Sequence, residues 1–266
     1  ALRMQLFATC TLRVHNAAEC PLVAMLRACH GEAQHIVQEN FEVQPWVPRV
    51  DYTDVYGNLC QRMVLPPGPT QMALSVTANV DADIAVAPQT APTPMQLLPD
   101  NVLIYLLQSR YCPSDKMAER ALGIVGQVAP GYDQAEAIRA WIHHNLTYQY
   151  GVSTATTDAL DTLSQGAGVC RDFAHVGIAL CRSLRLPARI VVGYLYGLDP
   201  MDLHAWFEVF VGGRWYTFDA TQTQPRGGRI VLAYGRDAAD VAFISDYGSA
   251  PLEVQQMQVT VDLLAG

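Results

Sequence analysis

The stretch GVCRDFAHVGIALCRSL, residues 168–184, decides the fold. Val169, Phe173, Val176, Ile178, Ala179, Leu180 and Leu184 put apolar side chains on nearly every side of a helix, so this helix belongs inside a core rather than on a surface. Three segments follow it, RIVVGYLYG (189–197), HAWFEVFV (204–211) and RWYTFDAT (214–221), all alternating or aromatic-rich and bounded by glycine. They read as strands. A buried helix followed by an antiparallel sheet predicts an α+β fold.

Upstream of that helix the period is also helical. DNVLIYLLQSRY (100–111), SDKMAERALGIVGQV (114–128, opened by Ser114 and Asp115) and DQAEAIRAWIHHNL (133–146, opened by Asp133) carry the apolar spacing and the starting residues of helices. Before them, APQTAPTPMQLLP (87–99) holds four prolines, which can continue neither sheet nor helix, and reads as an exposed linker. The chain before the linker is β-rich: LFATCTLRV, AQHIVQENFEV and MALSVTANV are separated by Pro, Gly, Asn and Asp. The expected division is a β domain over 1–86, a linker over 87–99 and a second domain over 100–266 that includes the C-terminal strands.

A chain of 266 residues with 50% apolar content can bury a substantial core. The formal net charge is -8, with no run of five or six like charges, which argues against a nucleic-acid partner. The longest apolar runs, such as 102–107 and 176–180, fall far short of a membrane span. The first residues, ALRMQLFATCTLRV, lack a basic region followed by an apolar stretch, so no secretory signal is read there. Seven irregularly spaced cysteines, an odd number, do not form a disulfide framework. A soluble, cytoplasmic protein is expected. Cys10, Cys20 and Cys29 with His15, His30 and His35 contain no CxxC or HxxxH pair, so neither a metal nor a cofactor is expected.

Cys170 follows Gly166-Ala167-Gly168 and opens the central helix, where free backbone N–H groups and the helix dipole favour a thiolate. Its own N–H is placed to meet a developing oxyanion. Cys181, in mid-helix, is expected in the core. A base is available in the later sheet. Gly212-Gly213 between Val211 and Arg214 signals a tight hairpin pairing residues whose numbers sum to 425. That register sets His204 opposite Thr221 and Trp206 opposite Asp219, leaving His204 and Asp219 as same-face diagonal neighbours. An acid there can fix the imidazole tautomer and leave the second nitrogen for the thiol. Cys170, His204 and Asp219 are thus the candidate catalytic residues. His143 and His144 near a helix end, and His175 one turn after Cys170, are weaker candidates for the base.

These residues also carry a resemblance. GVCRDFAH (168–175) followed by Leu186-Pro187-Ala188-Arg189 and Gly193-Tyr194, then HAWFEV (204–209) and FDAT (218–221), is similar to the core of bacterial transglutaminase-like proteins. Residues 2–85 resemble the β-sandwich domain that precedes this core in many bacterial members, and GRDAADV (235–241) resembles their C-terminal segment. The resemblance implies an N-terminal β-sandwich and a papain-like α+β core with Cys170 as nucleophile, His204 as base and acid, and Asp219 as its orienter. Hydrolysis of a peptide, protein or small-amide substrate is the expected reaction, with no membrane or nucleic-acid partner. Amine transfer to protein glutamine and a non-catalytic peptide-binding scaffold are the alternatives. For the second oxyanion donor, Gln165 and Tyr148 are both in view. The sequence carries nothing that fixes the oligomeric state.

Overall fold

The computed structural model describes residues 2–28, 31 and 33–266. Cys29 and His30, part of the cysteine and histidine set considered above, lie outside the described residues. The first third of the chain is built of strands: β1 (Arg3–Asn16), β2 (Cys20–Ala24), β3 (Gln34–Gln44), β4 (Val50–Thr53), β5 (Leu59–Leu65) and β6 (Gly68–Asp81). After the linker come α1 (Ala118–Val125), α2 (Tyr132–Asn145), β7 (Thr147–Tyr148), α3 (Ala159–Gln165), β8 (Ala167–Gly168) and α4 (Cys170–Ser183). The chain ends with β9 (Ala188–Leu195), β10 (His204–Val211), β11 (Arg214–Phe218), β12 (Arg229–Gly235), β13 (Ile244–Asp246) and β14 (Glu253–Ala265). The fold is α+β, as the sequence predicts.

Two four-stranded antiparallel sheets form the N-terminal sandwich, in the orders β14-β1-β6-β3 and β13-β2-β5-β4. Alternation explains its interior. Leu6, Ala8, Leu12 and Val14 of β1 and Met72, Leu74, Val76 and Ala78 of β6 point into one core with Leu22, Met63 and Leu65 of the other sheet.

The expected boundary at the C-terminus needs correction. β13 and β14 do not join the second domain: β13 pairs with β2, and β14 lies antiparallel along β1 from Gln5↔Ala265 to His15↔Glu253. The sandwich is therefore built from both ends of the chain. Without β14, the outer flank of a 14-residue strand would carry unpaired backbone groups, and the core under Val259 and Val261 would open.

The linker also differs from an untethered segment. Thr90 O accepts from Tyr132 N at 3.0 Å, Ala91 O from Gly212 N at 3.1 Å, and Thr93 Oγ1 from Gly213 N at 2.9 Å. The segment after it, read as a helix, is a 3-10 helix over Asp100–Leu106. Its two buried residues, Val102 and Tyr105, are three apart, the spacing that 3-10 geometry brings onto one face.

The sheet of the second domain, called the second sheet below to set it apart from the sandwich, has the order β11-β10-β9-β12 and carries α4 across one face. Every residue from Asp172 to Arg182 is buried. The approach is so close that a Cβ on Gly177 would stand 2.5 Å from the Phe207 ring. At the far end of the helix Arg182 is 2% exposed yet fully satisfied, donating to Ala188 O, Leu107 O, Ser109 Oγ and Arg236 O at 2.6–3.1 Å. Asp237 closes the same knot by accepting from Ser109 Oγ, Tyr111 N and Ala239 N. The sandwich grips this sheet through two side-chain amides that act as strand partners for β12. Gln34 exchanges a pair of hydrogen bonds with Val231, and Asn58 does so with Tyr234.

Deleting residues 253–266 should lower the thermal midpoint by about 10 °C or more, since two core valines and one flank of β1 are uncovered at once. Thermal circular dichroism with size-exclusion chromatography checks this. A truncated monomer with an unchanged midpoint would show that β14 is dispensable.

Candidate active site

The site begins with a helix start that the sequence builds tightly. Asp172, on the first turn of α4, turns its carboxylate back so that Oδ2 accepts from Val169 N at 2.9 Å, while Oδ1 takes Ser153 Oγ and Arg171 Nη1. This is an acidic cap on a free amide at the positive end of the helix. It leaves no room for a side chain at Gly168, where a Cβ would meet Asp172 Cβ at 2.7 Å. Cys170 is the first helical residue and is half-buried. The other described cysteines are free and buried. Burial, together with the nearby Asp202 carboxylate, pushes the Cys10 thiol up to about 11, and burial pushes Cys112 up to about 12. Of the described thiols, Cys170 alone combines access with a helix N-terminus.

The two-residue β7 pairs in parallel with β8, Tyr148 opposite Gly168, and so brings Tyr148 beside the start of α4. Tyr148 lines the same cleft as Cys170 and lies close enough for the thiol to influence its hydroxyl. Burial, and then the Cys170 thiol, hold the Tyr148 hydroxyl above its ordinary range, so it remains a donor. Gln165, the other residue considered for this place, ends α3 and is exposed.

The β10–β11 ladder runs from Phe207↔Phe218 to Val211↔Arg214, the register read from the glycine pair. Regular pairing stops at Phe218, and the chain turns with Gln222 N donating to Asp219 O. The diagonal contact survives the turn. His204 Nε2 stands 2.8 Å from Asp219 Oδ2, and both residues are about 5% exposed or less. The His204 ring and the Cys170 thiol line the same cleft, close enough for the thiol to help raise the imidazole's pKa. Since Nε2 is committed to the carboxylate, Nδ1 is the nitrogen left for the sulfur. The structure thus brings Cys170, His204 and Asp219 into one contiguous set.

Asp219 is more heavily engaged than sequence reading anticipates. Oδ1 accepts from Thr221 N and Thr221 Oγ1, and Oδ2 accepts from both His204 and the Arg229 Nη1 at 2.9 Å. Burial alone would raise its pKa, but His204 and Arg229 hold the carboxyl well below the usual carboxylate range. For His204 burial favours the neutral ring, and the Asp219 charge and hydrogen bond overcome it, raising the imidazole to about 9. Arg229 is itself buried, donates through Nε to Arg226 O, and lies over the Trp206 ring at 4.8 Å. Sequence reading missed Arg229. It starts β12, whose place beside β9 depends on a pairing between segments some forty residues apart, and a lone arginine at a strand start carries no local signal.

The remaining histidines separate from this set. His175 is fully buried against Tyr111, ring centroids 5.0 Å apart, and accepts through Nε2 from Ala238 N. Burial, with Arg171 and Arg182 nearby, keeps it well below the ordinary imidazole range. It is a neutral clamp on the 235–241 segment. His143 lines the cleft with Nδ1 held at Ala220 O, and His144 is exposed.

Residues 118–220, which include Cys170, His204 and Asp219, match the transglutaminase-like superfamily. The chain superposes on the structure of a proposed cysteine protease from Cytophaga hutchinsonii with a TM-score of 0.94 and 33% identity, covering 100% of this chain and 92% of that one. Uncharacterized protein ML0607 of Mycobacterium leprae (strain TN) is 25% identical over 242 residues, 83% of this chain and 85% of ML0607.

The electrostatics predict a titration order. In the native protein the His204 imidazolium should persist to about pH 9, against 6.5 for an unperturbed ring. Because the folded value is raised, its contribution to stability is complete below pH 6.5 and lost as pH rises through 9. Asp219→Asn should lower the titration well below 9, since burial is then opposed only by the neighbouring Cys170 thiol. Arg229→Gln should move it upward, since a competing cation leaves the shared oxygen. Histidine-selective NMR titration reads all three, and a ring that titrates near 6.5 in every variant would contradict this coupling.

Proposed function

Because this chain belongs to the transglutaminase-like superfamily, in which a cysteine-based enzyme is the expected member, we propose that it is a hydrolase acting on an amide or peptide carbonyl through Cys170, His204 and Asp219. The observation that carries this reading is a half-buried thiol sharing one cleft with an imidazole that is hydrogen-bonded to a carboxylate fixed on both oxygens.

In the first step the Cys170 thiolate attacks the carbonyl carbon, and the C=O electron pair moves to oxygen. The Cys170 N–H at the positive end of α4 and the Tyr148 hydroxyl are the donors proposed for that oxyanion. Collapse of the tetrahedral intermediate breaks the C–N bond, and the His204 imidazolium gives its proton to the departing nitrogen. This leaves a thioester and a neutral imidazole. Water then enters where the amine left, His204 takes its proton, and the second tetrahedral intermediate expels the Cys170 thiolate with a carboxylic acid. Asp219 does not exchange protons. It holds the ring orientation and stabilises the imidazolium, while Arg229 and Thr221 keep the carboxylate in place.

The roles differ, and so should the costs. Cys170→Ala should abolish turnover, and His204→Ala should lose on the order of a thousandfold or more, because both thiolate formation and leaving-group protonation fail. Adding Asp219→Ala to His204→Ala should change little further, since Asp219 acts through the ring. Tyr148→Phe should cut turnover by about a hundredfold while leaving alkylation of Cys170 fast, which separates oxyanion binding from thiol activation. Iodoacetamide inactivation across pH 4 to 9, with a panel of peptide and amide substrates for turnover, makes the measurement. If His204→Ala and Asp219→Ala both leave the low-pH reactivity of Cys170 unchanged, the three residues are not a unit and the proposal fails.

A further inference from the structure

The cleft in front of Cys170 is a cavity of about 650 Å³ whose lining carries two carboxylates beside the His143 and His204 rings. Asp199 and Asp202 contribute carboxylates to it, and no Lys or Arg lines it. Neither aspartate has an ion-pair partner among the described residues, and both are exposed. Arg226, which could have neutralised them, is turned to Gln222 Oε1 and Tyr196 O. The His204 ring is hydrogen-bonded to the Asp219 carboxylate, and His143 holds Ala220 O through Nδ1. The net charge facing a substrate is therefore negative.

The loop that carries these carboxylates is held in place. Leu203 is buried, Met201 packs against the core, and Asp202 Oδ1 accepts from Leu203 N at 2.8 Å. The same loop leads directly into His204, the group that protonates the departing nitrogen. The oxyanion donors lie with α4 and β7, so the acidic loop belongs to the leaving-group side. Tyr148 and Tyr150, edge to face at 5.6 Å, add aromatic surface to the same cavity, a favourable neighbour for a cation.

We infer that the cleft selects substrates bearing a positive charge on the leaving-group side of the scissile bond, with Asp199 and Asp202 as the specificity-determining residues. This rests on the hydrolase reading above. A basic side chain or a protonated amine just beyond the departing nitrogen is the matching chemistry, and an acidic group there is rejected by the same field.

Methanethiosulfonate reagents test this without a known substrate. The thiolate attacks the sulfenyl sulfur, a mixed disulfide forms and methanesulfinate leaves, so the rate at Cys170 reports on the field at the sulfur. The trimethylammonium-ethyl, sulfonatoethyl and methyl reagents are compared on the full chain by peptide mapping, each rate divided by that of free cysteine. The cationic reagent should exceed the anionic one by on the order of tenfold at low salt, and the ratio should approach one in Asp199→Asn with Asp202→Asn, with folding checked by thermal melting. A ratio equal in wild type and variant overturns the inference while the nucleophile stands. A Cys170 that reacts no faster than free cysteine with the neutral reagent overturns the hydrolase reading, and this inference with it. The side is tested on the acetyl-enzyme formed from p-nitrophenyl acetate, where (2-aminoethyl)trimethylammonium should accelerate deacylation several-fold more than 2-aminoethanol. Equal acceleration would remove the charge preference from the leaving-group side.

Discussion

Burial of α4 on all sides is the constraint on which the remaining structure depends. A helix enclosed by α1, α2, α3 and the second sheet can expose chemistry only where it begins. That beginning is also where its dipole is positive and its amides unpaired. One decision, to spend an entire helix as core, thus fixes both the position and the electrostatic character of Cys170. The far end is tied down with equal care. Arg182 satisfies its donors on main-chain carbonyls and one serine hydroxyl rather than on a carboxylate, so a buried cation is held without a direct ion pair. Such a residue resists replacement, because its carbonyl partners would be left unpaired together.

The second constraint is the crowding of Asp219. A carboxylate that served His204 alone would be free to rotate, and the imidazole with it. Here four donors from three residues fix its plane, and one of them carries a permanent charge. Arg229 keeps Asp219 ionised whichever protonation state the ring is in. It also competes for the same oxygen, so it moderates the pull of Asp219 on the imidazolium. In the hydrolysis proposed above, a ring held too strongly as imidazolium would be a poor base for water in the second half of the reaction, and one held too weakly would not sustain the thiolate in the first. The shared oxygen would set a point between these limits.

Local patterns carried most of what could be read from the chain. The apolar surround of residues 168–184 placed α4, the Gly212-Gly213 pair placed the β10–β11 register, and alternation identified the sandwich strands. What escaped was non-local. The union of β14 with β1 joins segments about 250 residues apart, and in β14 only Val259 and Val261 are buried, too few for alternation to mark it as half-buried sheet. Arg229 escaped for the same reason. The 100–106 segment was misread because apolar residues three apart suit either helix type, and periodicity over two turns cannot separate them. The GRDAADV segment resembled a known one, but that Asp237 and the Ala238 amide lock onto Ser109 and His175 is a property of the assembled fold.

The sandwich can then be understood as part of the machinery that shapes the cleft rather than as an appendage. Its strands close only when β13 and β14 return from beyond the second sheet, so the chain between β6 and β13 is held at both ends by one body. The linker is fastened to α2 and to the β10–β11 turn, and Gln34 and Asn58 complete the edge of β12. These grips bear on the strands that deliver His204, Asp219 and Arg229. The loop that carries Asp199 and Asp202 runs directly into His204, so in the proposal above the spacing between the charge that would hold a leaving group and the ring that would protonate it is set by one short segment of chain.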